Sequence, residues 1–119
     1  MTNEEFNDQF RKRTRAFSVA VLKFCDKLDS AASTKVISYQ LAKSSTSVGA
    51  NYRAFCRGRS RNERYSKICI VVEEADETVY WLEILQELGK GDQQELAKLL
   101  TESNEILKVV AKTKSSHEN

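Results

Sequence analysis

Apolar residues recur along this chain at steps of three, four and seven, the spacing that gathers side chains on one face of an α-helix. Between Glu4 and Leu28 that face is Phe6, Phe10, Phe17, Val21, Phe24 and Leu28, which predicts a first helix. Thr2 or Asn3 can cap its start, and Glu4 and Glu5 in the first turn suit the helix dipole. Residues 29–33 form a polar connector. Ile37, Leu41, Ser44 or Ser45, Val48, Tyr52 and Phe55 then predict a second helix from about Thr34 to Phe55. Its middle, Ser44 to Ser47, is poor in helix formers, and Gly49 costs about 1 kcal/mol relative to alanine in a helix interior. Such a segment needs tertiary support: either its small side chains let another helix come close, or the helix breaks near Ser47 into two shorter ones.

Arg57 to Ser60 reads as a turn, with Gly58 suited to a left-handed conformation past the helix end and Ser60 an N-cap backed by Glu63. A third helix follows from about Arg61 to Leu88. Ile68, Val71, Val72, Ala75, Val79, Leu82 and Leu85 fill one arc, and Ile70, Trp81, Ile84 and Leu88 extend it past half the circumference. One bundle core does not need so broad an arc, so self-association is expected. Glu73, Asp76, Tyr80, Glu83 and Glu87 make the remaining polar ridge. Gly89-Lys90-Gly91-Asp92 is a tight stop and restart. Leu96, Leu99, Leu100, Ile106, Leu107 and Val110 mark a fourth helix, with the tail from Lys112 expected to fray. Four amphipathic helices on short connectors predict an all-α fold, an antiparallel up-and-down four-helix bundle forming one domain over residues 1–119.

The absence of proline and the presence of only four glycines in 119 residues strengthen the all-helical reading. A net charge of +2 exerts little overall pull on polyanions, so local patches matter more than the sum. Cys25, Cys56 and Cys69 have no CxxC spacing and read as reduced, partly buried thiols. The start, MTNEEF, is acidic where a secretory signal would be basic, and no apolar run approaches a membrane span. The expectation is a cytoplasmic protein that does not engage a membrane.

His117 is the single histidine, and its place in the tail leaves a Ser-His-Asp or Cys-His arrangement without a general base. Neither the cysteine spacing nor the turn GKGD fits a metal site or a phosphate-binding loop, so no catalytic residue, metal or cofactor is expected. Glu74 and Glu77 fall among the apolar positions of the third helix beside Trp81. A carboxylate placed there needs a donor, and Asn51, Arg53 or Arg57 on the second helix could supply one. Arg53, Arg57, Arg59, Arg61, Arg64 and Lys67 crowd into a corner with Tyr52, Phe55 and Tyr65 interleaved, and Arg11 and Arg15 project from the far side of the first helix. Guanidinium groups grip phosphates and aromatic rings stack on bases, so this corner could bind RNA or DNA. Alternatively, its arginines pair with the acidic ridge, within the protomer or across to a neighbour.

The stretches SSTSVGANYR at 44–53 and EEADETVYWL at 73–82 together resemble the bacterial four-helix-bundle family named after the 23S rRNA intervening-sequence protein. The resemblance runs from the first helix to the fourth. It implies a bundle similar to those assembled as ring-shaped homopentamers, among them the accessory variability protein of diversity-generating retroelements. That relative is not known to be catalytic and presents a basic surface to nucleic acid and a reverse transcriptase. The resemblance therefore implies a non-enzymatic homo-oligomer, while the residues themselves place Gly49, Asn51, Glu74, Glu77 and Trp81 in packing or oligomer contacts. Nucleic acid and a reverse transcriptase become its expected partners. The near-neutral net charge departs from a strongly basic accessory protein.

Overall fold

In the computed structural model, which describes residues 1–118, the chain forms four helices: α1 (Asn3–Asp26), α2 (Ala32–Cys56), α3 (Arg61–Leu88) and α4 (Gln93–His117). They pack as an all-α bundle measuring 44 × 25 × 19 Å. Each start uses chemistry visible in the sequence where a capping side chain is available. Thr2 accepts from the Glu5 amide, Ser60 from the Glu63 amide and Asp92 from the Glu95 amide, each satisfying an orphan donor of a first turn. Ahead of α2, whose preceding residue Ala31 has no capping side chain, Asp29 accepts from the Ala31 amide.

The core runs the length of the bundle. Phe10, Phe17, Val21 and Phe24 from α1 meet Ile37, Leu41, Val48, Tyr52 and Phe55 from α2; Ile68, Val71, Leu82 and Leu85 from α3 and Leu96, Ile106 and Val110 from α4 complete it. Each large apolar side chain fully removed from water contributes about 1.5–3 kcal/mol, so this face outweighs the poor helix propensity of 44–49. Accordingly α2 does not break at Ser47. The Ser18 hydroxyl donates to the Ser45 carbonyl at 2.9 Å, and the buried hydroxyls of Ser44 and Thr78 share a hydrogen bond at 2.9 Å. These contacts tie the weak segment to α1 on one side and α3 on the other.

Gly49 lies where α2 packs closely on α1. A Cβ there would stand 3.2 Å from Ser18 Oγ and 3.6 Å from the Thr14 carbonyl oxygen. The close approach that small residues allow is thus made to α1 of the same chain. Gly58 differs from expectation, because among the described residues only Gly89 and Gly91 have positive φ. Its lack of a side chain instead leaves room for Arg64, which folds back to donate to the Gly58 carbonyl at 3.3 Å.

The expected fraying from Lys112 is also corrected. Helix α4 continues to His117, whose ring packs edge-on against Phe55 with centroids 5.2 Å apart and whose carbonyl accepts from Arg61 at 3.2 Å. Docking on the α2–α3 corner supplies the order that local sequence lacks. Asn119, the last residue of the expected tail, lies outside the described residues.

Candidate nucleic-acid interface

All eight arginines, Arg11, Arg13, Arg15, Arg53, Arg57, Arg59, Arg61 and Arg64, lie between one end of the bundle and the middle of α1. The antiparallel topology brings this about, because the first half of α1, the last turns of α2 and the first turns of α3 occupy the same end. The positive groups elsewhere in the bundle are lysines, and two of these close the opposite end: Lys27 pairs with Glu95 and Lys90 with Asp29.

The eight arginines divide by what they hold. Arg13 is structural: its Nε and Nη2 donate to the two oxygens of Glu102 at 2.8 and 2.6 Å, joining α1 to α4. That hydrogen-bonded pairing raises its pKa above the ordinary value. Arg61 and Arg64 are held by the carbonyls of His117 and Gly58. Arg11 pairs with Asp8, which also faces Lys12. Among the described residues, Arg15, Arg53, Arg57, Arg59 and Lys67 have no side-chain hydrogen bond or ion pair, and all the arginines of that set are exposed.

No ion pair within the protomer joins the corner to the acidic ridge among the described residues. Glu73, the nearest ridge acid, is six residues beyond Lys67 and nine beyond Arg64, or about 9 and 14 Å along the α3 axis at 1.5 Å per residue. The whole ridge, Glu73, Asp76, Tyr80, Glu83 and Glu87, is exposed. Two clefts bring the free cations together. One, of about 470 Å³, is lined by Arg53, Arg57, Arg59 and Lys67 with Glu63. The other, of about 300 Å³, lies between α1 and α2 and is lined by Arg11, Arg15 and Arg53. Tyr52 and Phe55, interleaved with the arginines in sequence, are buried and offer no stacking surface; Tyr65 is half-buried.

Glu74 and Glu77 do not meet the donors expected for them. Asn51 donates instead to the carbonyl and hydroxyl of Ser47 at 3.0 and 2.9 Å, and Arg53 and Arg57 point elsewhere. Helix α2 places 51 a turn beyond 47, so the amide is satisfied within its own helix. Glu77 accepts from the Trp81 indole at 3.2 Å, a pairing that i,i+4 spacing makes available from sequence alone. Glu74 is half-buried; burial, then the neighbouring Glu77, push its carboxyl above the ordinary value of 4.5, and Ser47 opposes this by hydrogen bonding.

A carboxyl raised on folding binds its proton more tightly in the native state, so its ionisation costs stability as pH rises through the interval above 4.5. Glu74→Gln is therefore expected to stabilise the protein at pH 7 and to give no gain at pH 4. Urea unfolding at the two pH values measures this, and an equal effect at both would contradict it.

Cys25, Cys56 and Cys69 are free, half-buried thiols. Burial raises the Cys25 pKa to about 11 and also raises that of Cys56, leaving both poor nucleophiles near neutrality. Among the described residues, no cluster of three or more His, Cys, Asp or Glu could hold a metal ion, and no helix is long and apolar enough to cross a membrane.

These features define a class: an antiparallel four-helix bundle with its arginines segregated to one end. The sequence profile of the 23S rRNA-intervening sequence protein family matches residues 7–112, and the chain belongs to that family. A crystal structure of a protein of unknown function from the S23 ribosomal protein family of Bacteroides thetaiotaomicron VPI-5482 is similar, with a TM-score of 0.81 and 28% identity. The match covers 92% of this chain and 97% of that one. No curated protein matches the sequence.

Proposed function

We propose that this chain is a non-enzymatic, oligomeric scaffold that binds nucleic acid through phosphate contacts at its arginine-rich end. The observation that carries the reading is the gathering of Arg15, Arg53, Arg57 and Arg59 on that end with no internal partner. Unpaired surface guanidiniums retain their full capacity for bidentate contact with phosphate, and burial of the nearby aromatic rings favours contact with the backbone over base stacking. Binding of this kind is largely independent of sequence and falls steeply with salt. A reverse transcriptase is the protein partner implied by the family resemblance.

The outer side of the α2–α3 pair supports self-association. Val36 and Tyr39 on α2 and Leu88 on α3 are exposed, and Ile70, Trp81 and Ile84, which share a helical face with Leu88, are half-buried. A ring of protomers, a pentamer on the family resemblance, would multiply a weak arginine patch into useful affinity. The same apolar face favours a second reading, a protein-interaction module without nucleic-acid binding.

Fluorescence anisotropy with RNA and DNA oligonucleotides at several salt concentrations, run beside light scattering, tests these statements. The wild type should bind at low salt and elute with the mass of several chains. Arg53→Gln, Arg57→Gln and Arg59→Gln combined should flatten the slope of log affinity against log salt by roughly 0.7 for each phosphate of a single strand that is no longer neutralised, with mass and helicity unchanged. Absence of binding at low salt would leave the interaction module as the surviving reading, and a monomer at high concentration would remove the oligomer.

A further inference from the structure

We infer that the cleft between α1 and α2, floored by Thr46, Gly49 and Ala50 and rimmed by Arg11, Arg15 and Arg53, is a phosphate-binding subsite that grips the backbone of bound nucleic acid. The inference rests on the phosphate-contact reading above and narrows it to one groove.

Three features single out this cleft. First, no carboxylate lines it, whereas the neighbouring cationic cleft includes Glu63 and the one around Arg11 and Arg57 includes Glu4 and Asp8. An acid within a phosphate site opposes the ligand directly, and here the nearest one, Asp8, is outside the lining and is engaged by Arg11 at the rim. Second, its floor is built of small residues because α1 and α2 approach closely at Gly49, where even a Cβ would stand 3.2 Å from Ser18 Oγ. The hydroxyls beside the floor already donate to backbone carbonyls: Ser18 to Ser45 and Thr46 to Ala42. The ligand is therefore held by guanidinium donors over a shallow, largely apolar base. At about 300 Å³ the cleft stands at the lower limit of small-ligand pockets, and with no aromatic ring in its lining it suits a phosphate rather than a base.

Third, the arginines come from two elements. Arg11 and Arg15 are four residues apart on α1, about 6 Å along its axis, and Arg53 reaches the same cleft from α2. Guanidiniums from opposite walls can close on one phosphate in a way that a single helix face cannot. Arg15 and Arg53 have no competing partner, while Arg11 is steadied by Asp8.

The test compares two variants with the same change of charge. Arg15→Gln with Arg53→Gln removes the walls of the cleft; Lys35→Gln with Lys98→Gln removes two exposed cations towards the opposite end of the bundle. With a single-stranded oligonucleotide, the first pair should flatten the log–log salt slope by about 1.4, two phosphates at roughly 0.7 each, and the second should leave it close to wild type. Val19→Trp, at an exposed position that lines this cleft and not its cationic neighbour, crowds the cleft and keeps every charge, and should reproduce the weakening. Circular dichroism checks that all three fold. Equal flattening by both charge pairs, or full binding by Val19→Trp, would overturn the subsite while leaving general phosphate binding in place.

Titration with pyrophosphate followed by 31P NMR separates a polymer backbone from a small phosphate ligand. Pyrophosphate binding that disappears in Arg15→Gln/Arg53→Gln while the wild type binds no oligonucleotide would keep the cleft as a phosphate site and overturn both the nucleic-acid reading and the cleft's grip on a polymer backbone. Failure of the wild type to bind either probe would overturn both.

Discussion

Replacing Tyr52 by alanine is expected to destabilise the protein by about 3–5 kcal/mol, the usual range for removing a large buried aromatic side chain. Tyr52 is fully buried at the centre of an aromatic chain that crosses three helices. Phe10 of α1 meets it edge-on at 4.9 Å, Phe55 follows at 5.5 Å, and His117 of α4 packs against Phe55 at 5.2 Å. The tyrosine thus links the start of α1 to the end of α4 beneath the arginine-rich surface, and its loss leaves a cavity at a junction that rigid helices cannot easily close. Tyr52→Phe keeps the ring and loses only the hydroxyl that donates to Asn7 Oδ1 at 3.2 Å, a change of about 1 kcal/mol.

Burial raises the phenol well above its ordinary pKa of 10. The neutral phenol is therefore favoured in the native state, and the stability that it contributes is fully present below pH 10 and is lost as pH rises towards the native pKa. Tyr52→Phe should remove this alkaline loss. Urea titrations followed by circular dichroism, at pH 7 and pH 10.5, measure both effects. A loss for Tyr52→Ala below about 1 kcal/mol would contradict the central packing role given to the ring.

Gly91→Ala is expected to cost about 3 kcal/mol or more, and Gly89→Ala only about 1–2 kcal/mol, although both glycines have positive φ in the same turn. Gly89, at φ 66, ends α3 in the left-handed conformation and lets the Lys90 amide reach the Leu85 carbonyl at 3.0 Å. A Cβ on Gly89 meets nothing within 4 Å, so alanine there brings backbone strain alone.

At Gly91, φ 79, the added atom would fall 2.6 Å from Phe24 Cζ and 2.8 Å from Leu28 Cδ2. Phe24 is buried within the core and cannot swing away without opening it. The α3–α4 turn therefore seats its backbone directly on the last turns of α1, and strain and overpacking add at this one position. Equal losses for the two alanine variants in parallel urea titrations would show that the core yields at Phe24 more readily than the packing suggests.

Much of the architecture was legible in the sequence because helices announce themselves locally. The heptad-like spacing from Phe10 to Phe24, the caps Thr2, Ser60 and Asp92, and the Gly89 stop each depend on residues within a turn or two of one another. The Glu77–Trp81 contact is of the same kind, a four-residue spacing that any α-helix converts into proximity. Density of arginine near 53–64 was visible for the same reason.

What only the tertiary structure decided is which of those arginines are free and what they face. Helical phase already separates Arg13, near the apolar stripe, from Arg11 and Arg15, but only the packing commits it to Glu102, 89 residues away, while Arg15 and Arg53 line the α1–α2 cleft. The continuity of α2 through Ser44–Gly49, the order of α4 out to His117 and the distinct burdens on Gly58, Gly89 and Gly91 also depend on another element arriving. Helical periodicity specifies the face on which a side chain lies; the axial register between helices specifies what it meets there. That register is set by packing summed over the whole core, so it cannot be read from any local stretch of the chain.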